Sequence, residues 1–119
     1  MTTNIELRKG ILFVRLEGNF THDKIYDFES IIIPLVLVMS LKGVNIDLSK
    51  VEEVSNNNIN SIIKISNIVS RYDGKVVISG INDKIKLTLR KSDLFDYCFK
   101  SRNERHSREV FSIWMNTLF

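Results

Sequence analysis

Apolar positions recur in two periods along the chain, and the switches between them divide it into elements. Ile5 and Leu7, then Ile11, Phe13 and Leu16, form two short alternating runs. Lys9-Gly10 between them suits a tight turn, so the pattern predicts a hairpin with strands at 4–8 and 11–17. Gly18-Asn19 ends it. Ile25, Phe28, Ile32, Leu35, Val36 and Met39 then share one helical stripe, predicting a helix over 22–41 with Thr21 as its cap and Gly43 as its stop. Ile31-Ile32-Ile33 also reads as strand, but Pro34 would remove a ladder donor there and the stripe continues on both sides. Inside a helix, Pro34 removes the hydrogen bond to Ser30.

Val44 to Leu48 reads as a short buried strand, followed by a polar stretch, Ser49 to Asn58, expected to be a partly exposed loop and helix start. Ile59, Ile62, Ile63, Ser66 and Val69 make a second helical stripe, with Asn60, Lys64, Asn67 and Arg71 opposite. Asn56 or Asn57 is the expected cap, since Asn suits both caps and turns. Asp73-Gly74 closes this helix. Lys75 to Ser79 reads as a strand ended by Gly80, and 81–93 as a third helix carrying Ile85, Leu87 and Leu89. Leu94 to Phe99 suggests a short extended segment. Ser101 with Glu104 three residues on resembles a capping box for a last helix over about 102–118. The order β-β-α-β-α-β-α-β-α implies a small mixed sheet of about five strands. Right-handed crossovers make it parallel, and the opening hairpin adds an antiparallel edge.

At 119 residues the chain fits one domain with one core. One cysteine excludes an intrachain disulfide and argues against a cysteine-based zinc site. No apolar signal-peptide core opens the sequence, and the run from Ile31 to Met39 falls short of the about 20 residues a bilayer span needs. These features suggest a soluble, cytoplasmic protein without membrane insertion. Ala and Gln are absent while Ile, Asn and Lys are plentiful, as expected of an AT-rich, bacterial genome. The net charge is +3, with eight Lys/Arg against five acids between Asn82 and Glu109. Mixed with acids in this way, the basic residues read as a solvated face before a nucleic-acid stripe.

Three ordered segments resemble the STAS domain, the family of bacterial anti-sigma factor antagonists. They are Leu16-Glu17-Gly18-Asn19-Phe20-Thr21, Ile46-Asp47-Leu48-Ser49-Lys50-Val51 and Gly74-Lys75-Val76-Val77-Ile78, followed by Leu94-Phe95-Asp96-Tyr97. Together they cover nearly the whole chain, implying a single STAS-like domain over 1–119. The family's phosphorylation loop reads Asp-Ser-Ser-Gly-Leu, and a partner kinase phosphorylates its first Ser to switch partner release. The matching residues here are Ser55, Asn56, Asn57, Asn58 and Ile59. Asn56 stands at the phosphoacceptor position, with neither a hydroxyl to accept phosphate nor the charge to mimic it. Ser55 offers a hydroxyl one residue early. The resemblance implies a non-enzymatic protein-interaction module that docks through Ser49, Ser55, Asn56, Asn57, Asn58, Asn60 and Lys64. Its partner would be an anti-sigma factor or kinase-like protein, or a subunit of a larger complex.

No catalytic constellation, metal-ligand set or cofactor motif stands beside this reading. His22 and His106 are far apart among charged neighbours, and Cys98 between Tyr97 and Phe99 reads as a small buried filler. Asp47 with Glu52-Glu53 lacks a second ligand set. The alternative readings are an assembly subunit with the same fold and an unswitched loop, or a nucleic-acid binder using the basic C-terminal third. On the first helix, Ile33, Pro34, Leu37 and Val38 point away from the core stripe, and the pattern predicts an apolar patch for a homodimer unless another helix covers it. On the last helix, Phe111, Trp114, Met115 and Leu118 share one face expected to pack on the domain.

Overall fold

Lys9 and Gly10 both take positive φ, 53° and 80°, the combination that a two-residue type I′ hairpin requires. They join β1 (Thr2–Arg8) to β2 (Ile11–Phe20) in an antiparallel pair. The computed structural model describes residues 1–116. A single 3₁₀ turn, His22–Lys24, leads into α1 (Ile25–Met39). Thr21 precedes it, but its hydroxyl donates to Asp23 Oδ1 at 2.7 Å instead of capping the backbone. The helix runs through Pro34 and stops at Ser40, left-handed at φ 47°, so Gly43 is not its terminator. Met39, expected in the core stripe, is 46% exposed; Phe28, Ile32 and Val36 are the fully buried positions.

Gly43 instead opens β3 (Gly43–Val54), which is far longer than the five residues its apolar core suggested. Residues 49–54, expected in a loop, continue the strand. Beyond Asp47 they pair with β2 alone, from Glu17↔Lys50 to Phe20↔Val54, with register shifts at Arg15/Glu17 and Gly18/Asn19. Those bulges break the two-residue alternation, so Val51 and Val54 are both buried at a spacing of three. α2 (Asn56–Ser70) and β4 (Lys75–Ser79) follow where the pattern placed them. The helix expected over 81–93 is only the short α3 (Lys86–Arg90), and a further short helix, α4 (Leu94–Tyr97), occupies most of the segment expected to be extended. The extended segment therefore shrinks to β5 (Phe99–Ser101), because Leu94 starts a helical turn to reach the core. α5 (Glu104–Met115) is capped by Asn103, whose side chain accepts from the His106 N–H at 2.8 Å, and not by Ser101, which ends β5.

The strands form one sheet in the order β1-β2-β3-β4-β5, parallel from β2 onward with β1 as the antiparallel edge. Its two faces carry separate cores. Leu12, Val14, Leu16, Val44, Ile46, Leu48, Val76 and Ile78 meet α1 and α2, together with Ile85 just before α3 and Leu89 and Leu94 from the later short helices. Ile11, Phe13 and Val77 meet Phe111 of α5 on the opposite face. A Cβ at Gly43 would lie 2.4 Å from the Phe111 ring, so only glycine lets that ring rest on the sheet. Trp114 is half-buried, edge-on to Phe111 at 5.6 Å and to Phe99 at 4.7 Å. Leu118 lies outside the described residues.

Because Phe111 is fully buried and Trp114 is not, the two should separate in stability. Phe111→Ala is expected to cost about 3–5 kcal/mol and Trp114→Ala about 1–3 kcal/mol, read as shifts of the urea midpoint at constant m. Equal losses would show that the half-buried Trp114 ring anchors this helix as strongly as the Gly43–Phe111 contact does.

Candidate functional site

The end of the β2–β3 pair builds the start of α2. Pairing Phe20 with Val54 brings the Ser55 N–H to the Phe20 carbonyl at 3.4 Å. Ser55 is extended (φ −94°, ψ 162°) and caps the helix, its hydroxyl accepting from the Asn58 N–H at 3.3 Å. The cap is thus one residue earlier than Asn56 or Asn57, the positions the polar run suggested. Asn58 is completely buried. Its side chain donates to the Thr21 carbonyl at 2.8 Å and accepts a short hydrogen bond from the Ser55 hydroxyl. Asn58 therefore ties the β2 exit to the helix start, and it is not available as a docking residue. That role was missed because three consecutive asparagines give no signal of which one points inward until the cap sets the helix phase.

Asn56, Asn57, Asn60 and Lys64 are exposed and lie on one side of α2, continued by Asn67 and Arg71. At ~100° per residue these six fall within one outward-facing arc. The face carries amides and cations, and no acid. Lys64 is held by Glu29 of α1, Nζ to Oε1 at 2.8 Å, while the Ser61 hydroxyl donates to Glu29 Oε2 at 2.6 Å. Lys64, and then Ser61, hold the Glu29 carboxyl below the usual carboxylate range. This clamp fixes α1 against the helix that displays the asparagines.

Ser49 belongs elsewhere. It sits on β3, six residues before the cap, where its N–H and hydroxyl donate to Asp47 Oδ1 at 3.0 and 2.5 Å. Asp47 Oδ2 accepts from Ser79 at 2.8 Å, and Ser79 Oγ accepts in turn from buried Asn45 at 3.1 Å. Gly80, at φ +69°, makes this approach possible, since a Cβ there would lie 2.8 Å from that of Ser49. Asp47 is therefore a structural acceptor and not part of a carboxylate cluster; Glu52 instead pairs with Lys84 at 3.3 Å. Among the described residues no group of three or more His, Cys, Asp or Glu is placed to hold a metal. Cys98 is buried, and burial pushes its thiol up to about 12, which leaves it unreactive at neutral pH. His106 Nδ1 accepts from the Arg102 N–H at 3.1 Å.

A second network went unread because its partners lie 89 positions apart. Arg15 donates to both carboxylate oxygens of Glu104 at 2.8 and 2.5 Å, and also to Asn4 and Glu6 at 2.8 and 2.9 Å. It pins the start of α5 to the hairpin. No signal short of the folded sheet joins these residues.

The apolar patch on α1 is only partly as expected. Leu37 and Val38 are 48% and 83% exposed, and Pro34 is exposed with them. Ile33 is half-buried against the core and drops out. The last helix does not cover the patch, since it packs on the other face of the sheet.

The STAS domain model matches residues 2–107. The chain belongs to the STAS domain family. Solved structures that share this fold include the following three. One is the anti-sigma factor antagonist SpoIIAA in its unphosphorylated form, with TM-score 0.74, 7% identity, and 98% of this chain and 100% of that one covered. Another is a serine-to-glutamate variant of RsbS from Moorella thermoacetica, with TM-score 0.81, 18% identity, and coverage of 98% and 100%. The third is a chain of the stressosome, described as a signal integration and transduction hub, with TM-score 0.73, 18% identity, and coverage of 96% and 100%. No curated protein sequence matches this STAS domain. No helix among the described residues is long and apolar enough to cross a membrane.

The Glu29 clamp carries a pH signature. Its carboxyl has a lower pKa folded than unfolded, so the stability it contributes is present above about pH 4.5 and is lost as pH falls through the folded value. Urea midpoints measured from pH 7 down to pH 3 should fall more steeply for the wild type than for Glu29→Gln. Parallel curves would mean that the clamp adds nothing to stability.

Proposed function

We propose that this STAS domain is a non-enzymatic, cytoplasmic protein-interaction module of the anti-sigma factor antagonist type whose docking face is not switched by phosphorylation at the family's usual position. The observation that carries the reading is the start of α2. Asn56 stands there exposed, as its first residue, with no hydroxyl to modify. The nearest hydroxyl, Ser55, is half-buried and spent on the cap and on Asn58. A kinase acting on Ser55 would have to break that cap, at a cost of about 0.5–2 kcal/mol to the helix. Asn56, Asn57, Asn60 and Lys64 form the docking face; its exposed amides suit a partner that presents carbonyl oxygens and N–H groups, while the Lys64 charge is already paired with Glu29. Partner proteins of the anti-sigma factor or kinase-like class fit this face, with transcription regulation as the outcome.

Incubation with a serine kinase of the family type should leave the intact mass of the wild type unchanged, while Asn56→Ser should gain one phosphate at that position. A phosphate localised to Ser55 in the wild type would show that the switch has moved by one residue and survived.

A second reading, an assembly subunit, is favoured by Pro34, Leu37 and Val38, which leave an apolar surface on α1. Exposed apolar clusters mark contact sites, and a two-fold arrangement closes such a patch on its own copy. Sedimentation at high micromolar concentration should then show a wild-type dimer and a Leu37→Glu monomer. A monomeric wild type would remove the homodimer from the reading.

A further inference from the structure

One place in the fold sends successive strands to opposite sides of the sheet. The chain leaves the carboxyl end of β4 toward α3, whose Leu89 packs in the core shared with α1 and α2. It leaves the carboxyl end of the neighbouring β5 toward α5, which packs on the other face. β4 and β5 are parallel and adjacent, so these two exits diverge and open a crevice between them. In open α/β sheets this divergence beyond the carboxyl ends of the strands is where ligands bind.

The crevice here is a cavity of about 560 Å³, within the range of small-molecule sites. Its apolar surface comes from the half-buried Ile81 and Phe95, with fully buried Leu89 beneath them, and its rim from Lys86, Arg90, Lys100, Arg102 and His106. Asp96 is the one carboxylate on the lining. Among the described residues no carboxylate lies within 4.0 Å of the Lys86, Arg90, Lys100 or Arg102 cations. Arg15, Lys24, Lys64, Lys84, Arg105 and Arg108 have acidic partners; Lys50, Arg71 and Lys75 have none among the described residues either, so the four crevice cations are set apart by converging on one concavity. Lys100 stands 5.8 Å from the Phe95 ring centroid, so cation and aromatic face adjoin. His106 accepts through Nδ1 from the Arg102 N–H, which leaves its Nε2 as a hydrogen-bond donor in the neutral ring.

We propose that this crevice binds a small organic phosphate, an ester whose flat apolar part rests on Ile81 and Phe95 while Arg90, Lys100 and Arg102 hold the phosphate. Two arginines match phosphate oxygens with paired N–H donors. Four cations against one carboxylate exclude a cationic ligand, and the apolar floor gives an ester an advantage over free inorganic phosphate. An extended nucleic-acid backbone would need a track of cations, whereas these converge on one concavity. The site is separate from the asparagine face of α2, so it adds a ligand input to the module and does not depend on the docking reading.

Titration calorimetry of the full chain with 1-naphthyl phosphate tests it. Saturable binding is expected, with 1-naphthol and inorganic phosphate each binding at least about tenfold more weakly because each lacks one half of the recognition. Arg90→Gln and Arg102→Gln should each weaken the aryl phosphate by about tenfold or more, with unchanged circular dichroism. Arg71→Gln, on the far end of α2, should leave it unchanged. Equal weakening by all three variants would reduce the effect to net charge and overturn the proposal. Binding of 1-naphthol as tight as that of its phosphate would overturn it, as would the absence of any binding. Displacement of the aryl phosphate by a short DNA duplex at lower concentration would replace the small-ligand reading with a nucleic-acid one.

Discussion

The parallel pairing of β2 with β3 is the contact on which the rest of this STAS domain hangs. It runs from Ile11↔Gly43 to Phe20↔Val54, so it spans both cores and outlasts every other pair in the sheet. Buried side chains of the two strands supply one core with Leu12, Val14, Leu16, Val44, Ile46 and Leu48. The opposite faces of the same strands carry Ile11, Phe13 and the bare Gly43 on which Phe111 rests. Full burial on both faces is what a parallel central strand requires. At its far end the pair fixes where α2 begins, because the Phe20 and Thr21 carbonyls receive Ser55 and Asn58. A shift of one residue in that register would turn every core side chain to the wrong face and would also unseat the cap.

Polar residues inside the fold divide into two kinds of work. Asn58, Ser79 and Asn45 are buried and spend their donors on neighbouring chain or side-chain oxygens, Asn58 tying the β2 exit to α2 and Asn45 and Ser79 linking β3 to β4. Burial without such partners would be costly. Asn56, Asn57 and Asn60, drawn from the same run of amides, spend nothing on the fold and stay at the surface. This contrast between adjacent identical residues is the physical basis for the proposed docking face. The helix phase set by Ser55 turns one asparagine inward and leaves its neighbours outside.

The sheet also explains why two separate surfaces can coexist on so short a chain. The exits of β2, β3 and β4 go to one face and end in helices that bury their apolar stripes. The exit of β5 goes to the other face and needs a second, smaller core. The helix-rich side displays the asparagine stripe, and the divergence between the β4 and β5 exits opens the cationic crevice. Neither surface borrows residues from the other.

Local chemistry in the sequence determined the element types. The Lys9-Gly10 turn, the stripes of α1 and α2, the Val76-Val77-Ile78 strand and the mixed parallel order were all legible, because each rests on periodicity or turn residues close together in the chain. The ordered segments around Gly18, Asp47-Leu48 and Gly74-Lys75 were enough to place the chain in its family. Only the tertiary structure decided that residues 49–54 are strand, since bulges opposite β2 erase the alternation that would have announced it. It alone cut the third helix back to 86–90 and made Leu94, expected in an extended segment, the start of a helical turn that reaches the core. It also chose Ser55 and Asn103 as caps over Asn56 and Ser101. Those outcomes, like the Arg15–Glu104 contact and the crevice at the strand ends, depend on groups that chain connectivity keeps far apart and that only sheet pairing brings within hydrogen-bond reach.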